Sequence, residues 1–295
     1  MTADASRPRA AQATDAREAR RPGPAGRAGA LGLLGLAGLI ALGVVFLGLP
    51  VVALVGRAAL GGSLAAALGS RAVLAALGLS LLTTAISLGL TALFGLPLAW
   101  TLARRPFRGA ALVETVVDLP IVLPPSVAGL ALLLALGRSG VLGPLLDSAG
   151  LAIPFTTAAV VLAQTFVAAP FFVRSARTGI AAVERDAEDA ARADGASEFR
   201  VFRHITLPLA APALAAGLVM SWARSLGEFG ATIMFAGNFG GRTQTLPLLV
   251  YAEFEGGSLD ASIAAGAILV LAAFGVLLAV RVLHWGRALD ERVAG

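Results

Sequence analysis

The chain has 295 residues, 57% hydrophobic and 14% charged, with a net charge of +5 and a mean hydropathy of +0.84. Soluble globular domains carry about 25% charge, so this composition excludes one and points to a lipid bilayer. The sequence contains no cysteine and no lysine. That excludes disulfides, zinc–thiolate sites and a phosphate-binding loop of the GxxxxGK[ST] type, so any ATP must be bound by another chain.

Residues 1–29 are rich in Ala, Arg, Pro and Gly, with arginines at 7, 9, 17, 20, 21 and 27. Such a segment buries too little apolar surface to order itself, which predicts a disordered basic tail. Arg20-Arg21 hint at a twin-arginine signal, but the apolar run Ala30 to Val55 exceeds the roughly 7 to 15 residues of a signal core. It is therefore expected to be an uncleaved first transmembrane helix over 30–56. Further apolar runs of about twenty residues, the length that crosses a hydrocarbon core, fall near 76–102, 112–136, 154–173, 208–234 and 261–283. The expectation is an all-α integral membrane fold with six transmembrane helices.

Arginine sets the predicted orientation. The tail, the 104–108 turn, the 174–206 segment and the end from 281 hold 18 arginines, whereas the alternate loops hold only Arg57, Arg71, Arg138 and Arg242. By the positive-inside rule both termini, including 284–295, and the central loop are cytoplasmic. Only Arg224 then falls within a span.

Prolines interrupt several spans: Pro97, the cluster Pro120, Pro124 and Pro125, then Pro170 and Pro212. A proline in a membrane helix frees backbone groups that protein or cavity water must satisfy. The stretch Asp118 to Ser126 is accordingly expected to be an irregular start to the third span, facing protein or a pathway; a simple kink is the plainer alternative. No internal repeat is evident, which disfavours an inverted-repeat secondary carrier.

The most charged run after the tail is Glu184 to Pro208. Val183, Ala187, Ala190 and Ala191 recur at helical spacing, with Glu184, Arg185, Glu188 and Arg192 around them. Gly195 can end that helix in the left-handed conformation, and Ser197 is placed to cap the next. Phe199, Phe202 and Ile205 form a stripe on a second short helix, and Pro208 marks the start of span five. This helix, sharp turn and helix suits docking into a partner's groove. The alternative, a hairpin resting on lipid headgroups, would be strongly basic, whereas here acidic and basic residues balance.

Asp189-Ala190-Ala191-x-x-x-Gly195, followed by Ile205-x-Leu207-Pro208, resembles the EAA loop of ABC importer permeases, with aspartate in place of the usual glutamate. The resemblance implies a type-1 permease domain over 73–283. It makes 184–208 the coupling loop, with Asp189, Ala190, Ala191, Gly195, Phe199, Ile205, Leu207 and Pro208 engaging a cytoplasmic ATPase dimer. Implied partners are that ATPase, which binds ATP and Mg, a periplasmic oxyanion-binding protein, a second copy of the chain and membrane lipid, with no nucleic acid. No cofactor is expected on this chain, and the implied location is the bacterial inner membrane.

Two further stretches, Asp118 to Leu130 and Arg224 to Pro247, are similar to the molybdate branch, related to sulfate and tungstate permeases; the second carries GEFGAT and TQTLP. This implies translocation of molybdate or a similar tetrahedral oxyanion. The alternatives are an ABC permease for sulfate or another solute, or a secondary carrier.

Candidate pathway residues follow. An intramembrane charge such as Arg224 is a functional hypothesis by default, yet Glu228 one turn on can neutralise it as an i,i+4 neighbour. Arg242 and Thr243, near the periplasmic mouth with Gln244 and Thr245, either guide an oxyanion or touch the delivery protein. Ser126, Gln164 and Thr165 either line the pathway or bond helix to helix. An enzymatic reading rests on Gly137-Arg-Ser-Gly140, the GxSG form of a rhomboid-type serine protease. Catalysis needs Ser139 within reach of a base, and the predicted topology puts His204 and His284 across the bilayer from it.

Overall fold

The computed structural model describes residues 24–105 and 107–293, with side chains for 33, 35–105 and 107–278. Most of the predicted tail, and the side chains of the C-terminal end from 279, including His284, lie outside the described residues. Contacts divide the chain into a unit up to Ala53 and a unit from Leu54 onward. The first holds most of α1 (Pro24–Leu60), which begins ahead of the expected start at 30. From 35 to 56 the helix carries no charged residue, as suits a membrane helix.

The second unit contains α2 (Ser63–Leu68), α3 (Arg71–Arg104), α4 (Ala110–Val122), α5 (Pro125–Leu136), α6 (Gly143–Ser148) and α7 (Thr157–Ala181). There follow α8 (Arg185–Ala193), α9 (Glu198–Val201), a π-helical turn (Phe202–Thr206), α10 (Leu207–Leu226), α11 (Gly230–Ala236), α12 (Leu246–Glu255) and α13 (Leu259–Val293). Among the described residues all regular structure is helical. Among the described residues five helices are long and apolar enough to cross a membrane, and there are six spans if the pair α4–α5, bent by 120°, counts as one.

That bend has a local cause. Leu123 and Pro124 each precede a proline and are held in extended backbone, because the following ring disfavours the helical region. Pro125 then restarts the helix at a first-turn position, where a missing N–H is harmless. The fifth span also differs from the expected single run over 208–234. It stops at Leu226, turns through Gly227 to Phe229 and resumes as α11.

The body is built around α7, which packs against α3 on one side and α10 on the other. Small residues make this possible. A Cβ on Gly179 would lie 2.3 Å from that of Ala213, and one on Gly217 would lie 2.8 Å from that of Ser175. The backbones of α7 and α10 are therefore nearly in contact, as in small-residue packing between membrane helices. Ser175 Oγ donates to Ala213 O (2.7 Å) and Ser221 Oγ donates to Ala168 O (2.9 Å), adding cross-helix bonds at those places. At the opposite edge, Arg177 pairs with Glu114 (2.9 Å) and Arg174 with Asp118 (3.4 Å), joining α4 to α7.

Candidate functional site

Two regions carry the residues singled out by sequence. The first is the charged loop. Helix α8 ends in a full Schellman arrangement: Gly195 has φ +86°, its N–H donates to Arg192 O (3.0 Å), and Ala196 N–H donates to Ala191 O (3.0 Å). A glycine takes this conformation without the steric cost a Cβ brings. The expected sharp turn is present at the expected residue. Ser197 occupies the first position before α9, but its side chain makes no capping bond.

The second helix is not short. α9 continues through the π turn into α10 without a break, so Pro208 lies inside a continuous helix rather than at its start. A proline ring collides with the carbonyl four residues earlier in α geometry. Here the turn is widened by one residue, and Leu207 N–H reaches Phe202 O instead, the signature of a π bulge.

The faces of α8 are also distributed differently from the simple periodic pattern. Ala187, Ala190 and Asp189 are exposed and Ala191 is half-buried, so among the described residues the small-residue face is largely uncovered. The one buried residue of α8 is Glu188, only 3% exposed. Its Oε1 accepts from Arg104 Nη2 (2.9 Å) and from Thr206 Oγ1 (2.6 Å), while Arg104 Nη2 also donates to Val183 O (2.9 Å). Asp189 pairs instead with Arg192 (2.6 Å), whose Nε donates to Glu198 Oε1 (2.8 Å) across the Gly195 turn. Those bonds hold the Glu198 carboxyl below the usual carboxylate range and raise the Arg192 guanidinium above its ordinary value, with Glu198 the larger cause and Asp189 the smaller.

Phe199 is 68% exposed beside an apolar concavity of about 270 Å³ lined by Leu96, Pro97, Trp100 and Phe202. Phe202 meets Trp100 edge to face, with centroids 6.3 Å apart. Ile205 and Leu207 are half-buried and Pro208 is exposed.

The second region is where the two broken spans meet. A Cβ on Gly230 would lie 2.6 Å from Pro125 Cβ and 3.2 Å from Ser126 N; one on Gly129 would lie 2.6 Å from Ala231 O. The first turns of α5 and α11 thus touch backbone to backbone, with Ser126 exposed beside the contact. Glu228, 1% exposed, accepts from Ala231 N–H (2.7 Å) and forms an ion pair with Arg224 (2.5 Å). Its carboxylate both neutralises Arg224 and satisfies a free donor at the start of α11, where the helix dipole favours a negative charge.

The remaining candidates are dispersed. Thr165 Oγ1 lies 3.1 Å from Ser87 Oγ, which lies 3.3 Å from Ser225 Oγ, a hydroxyl chain joining α7, α3 and α10. Gln164 is 1% exposed, and neither of its amide atoms has a hydrogen-bond partner among the described residues. The Thr243 hydroxyl closes its own turn, accepting from Phe239 N–H (3.0 Å), while Arg242 is exposed. In the rhomboid-type reading, Ser139 sits in an exposed turn and His204 Nδ1 bonds Arg200 O (3.0 Å).

Sequence reasoning missed Arg104 and Thr206 and put Glu188 on the wrong face. Its signal was faint: Arg104 is one of three arginines in the 104–108 turn, and its partner lies 84 positions away.

The model of the family of binding-protein-dependent transport system inner membrane components matches residues 94–295. The chain is similar to the molybdenum transport system permease protein ModB of Mycobacterium tuberculosis, 45% identical over 205 residues, covering 70% of this chain and 77% of that protein. It is also similar to the sulfate transport system permease protein CysW of Synechococcus elongatus, 42% identical over 188 residues, covering 64% and 66%. Among solved structures, a bacterial ABC transporter involved in the import of the acidic polysaccharide alginate aligns with a TM-score of 0.66 at 20% identity, over 88% of this chain and 95% of that one. At that identity the likeness is one of fold.

Proposed function

Because the chain belongs to the family of binding-protein-dependent transport system inner membrane components, we infer that it is the permease subunit of an ABC importer carrying molybdate or a similar tetrahedral oxyanion into the cytoplasm. It is a multi-pass inner-membrane protein. The observation that carries the substrate reading is the 45% identity to a molybdenum permease over 205 residues. The family match over 94–295 also spans the charged loop and both broken spans.

In this reading the chain does no chemistry. A separate ATPase dimer binds ATP and Mg and engages the exposed face of α8 together with Phe199, and a periplasmic protein delivers the anion. Two copies of the chain pair, with both termini cytoplasmic. The pathway passes the junction of α5 and α11, where Ser126 and the Arg224–Glu228 pair lie; Gln164, Thr165, Arg242 and Thr243 are secondary candidates. Switching between inward-open and outward-open states requires a population shift worth about 5.5 kcal/mol to turn 1:99 into 99:1. The loop transmits it.

The test is uptake by the full chain reconstituted with its ATPase and delivery protein. ATP-dependent accumulation of molybdate, competed by tungstate, is the expected result. The resemblance to a sulfate permease supports a second reading, and accumulation of sulfate in preference to molybdate would favour it. Accumulation of neither would overturn the oxyanion assignment.

A further inference from the structure

Helix α8 has nine residues, fewer than the roughly 12 an isolated helix needs to be even marginally stable in water. It therefore depends on its attachment to the body. That attachment is unusual, because the only buried side chain of α8 is a carboxylate. Val183, just before it, packs in the apolar cluster of α3, α7 and α10, but within α8 itself no apolar side chain is buried.

Glu188 is instead held by two elements at once. Arg104, 9% exposed at its side chain, closes α3, and Thr206, 1% exposed, lies in the π turn that leads into α10. Both bonds converge on one carboxylate oxygen. The other oxygen lies 3.7 Å from Arg192. The second proton of Arg104 Nη2 binds Val183 O in the segment between α7 and α8. One guanidinium and one carboxylate thus join the ends of the second, fourth and fifth spans to the docking helix.

We propose that Arg104, Glu188 and Thr206 form a clasp that fixes α8 to the ends of α3 and α10, so that displacement of α8 by the ATPase is carried into both spans. This rests on the coupling role given to the loop above. The chemistry suits the task. Apolar contacts between small residues tolerate sliding, whereas a charge-assisted hydrogen bond is short and directional. A buried pair is also intolerant of separation, because pulling it apart leaves an uncompensated charge. Adjacent carboxylates divide the work: Asp189 faces outward at 67% side-chain exposure, and Glu188 faces the body. All three are positioning residues.

The experiment uses the full chain coexpressed with its ATPase and delivery protein and reconstituted in proteoliposomes. Retained ATPase, ATP hydrolysis and molybdate uptake are measured. Thr206→Val, which keeps shape and removes one bond, retains the ATPase but lowers anion transported per ATP by about fivefold. Arg104→Met/Glu188→Leu removes both charges together, so it avoids the unpaired charge that would unfold either single variant. It assembles normally, yet its transport per ATP falls at least about tenfold.

If the pair served stability alone, the double variant would transport at the wild-type ratio; that result, or a wild-type ratio in Thr206→Val, overturns the clasp. Absence of any ATPase on the wild-type chain overturns the coupling reading and the clasp with it. Normal ATPase retention with a normal ratio overturns the clasp alone.

Discussion

Gly195 offers the sharpest test of the turn between α8 and α9. At φ +86° an added Cβ finds nothing within 4 Å, so a small substitution there acts chiefly through the backbone. Forcing an L residue into the left-handed region costs about 1 to 2 kcal/mol, with alanine near the low end and β-branched valine at or above the high end. Asparagine tolerates the region and should cost only tenths of that. At about 1.4 kcal/mol per tenfold, valine shifts the equilibrium against the native turn roughly 30-fold and alanine about fivefold. If only the native turn docks, apparent affinity for the ATPase falls by up to the same factors. The assay titrates ATPase onto the reconstituted chain and follows uptake at matched expression. The expected order is Gly, Asn, Ala, Val. Equal uptake by all four would refute the docking role. A loss in Gly195→Asn as large as in Gly195→Val would refute the backbone argument, because open space leaves side-chain size little other way to act.

Three further outcomes are expected. Gly129→Leu drives a side chain into Ala231 O and Met234 Cβ, at 2.6 and 2.7 Å from the first added carbon; overpacking of this kind costs about 1 to 3 kcal/mol, read as a lower melting temperature in detergent and lost uptake. Glu228→Ala strips the partner from Arg224 and leaves the Ala231 N–H without its acceptor, the latter alone a loss of about 1 to 3 kcal/mol. It should abolish accumulation in the membrane, and normal yield would show that the pair is dispensable. The chain has no native cysteine, so single cysteines at 139 and 199 can be labelled in intact cells and inverted vesicles. They should react from opposite sides, and labelling from the same side would overturn the arginine-based topology.

The existence of the spans is legible because membrane length and apolar composition act over twenty residues at a time; the break of the fifth at 227–229 is not. A break at Pro124 and Pro125 is legible because they act on their own neighbours, but it falls between two helices at 123–124, with 118–122 helical, rather than as the expected irregular start over 118–126. Gly195 is legible for the same reason: a left-handed turn at the end of a short amphipathic helix is a local requirement. Glu188 is not. Its spacing groups it with the polar surround of α8, and only a partner 84 positions away turns that face inward. The Arg224–Glu228 spacing is readable, but the use of Glu228 as the acceptor for α11 depends on a chain break that apolar composition conceals. Likewise Gly129 and Gly230 are visible as glycines, while their closeness to each other's helices belongs to the packing of two broken spans.

The continuous helix from Glu198 to Leu226 gives these parts a common mechanics. Its 29 residues extend about 43 Å at 1.5 Å per residue, from exposed Phe199 to the break before Glu228. A conventional stop at Pro208 would let a push at Phe199 dissipate in a flexible joint. The π turn keeps the helix unbroken by accommodating the proline ring, so the rod stays stiff where the loop meets the body. Close backbone contact at Gly179 and Gly217 binds this rod to α7, and the Glu228 acceptor passes its far end to α11. From there Gly230 abuts Pro125 at the bend of the third span. Along this path the backbone leaves helical geometry in two places, residues 227–229 and 123–124. Packed cores switch between discrete arrangements rather than deforming continuously. If the loop drives a change of state, those two breaks, beside the residues proposed to meet the anion, are where the backbone can take it up.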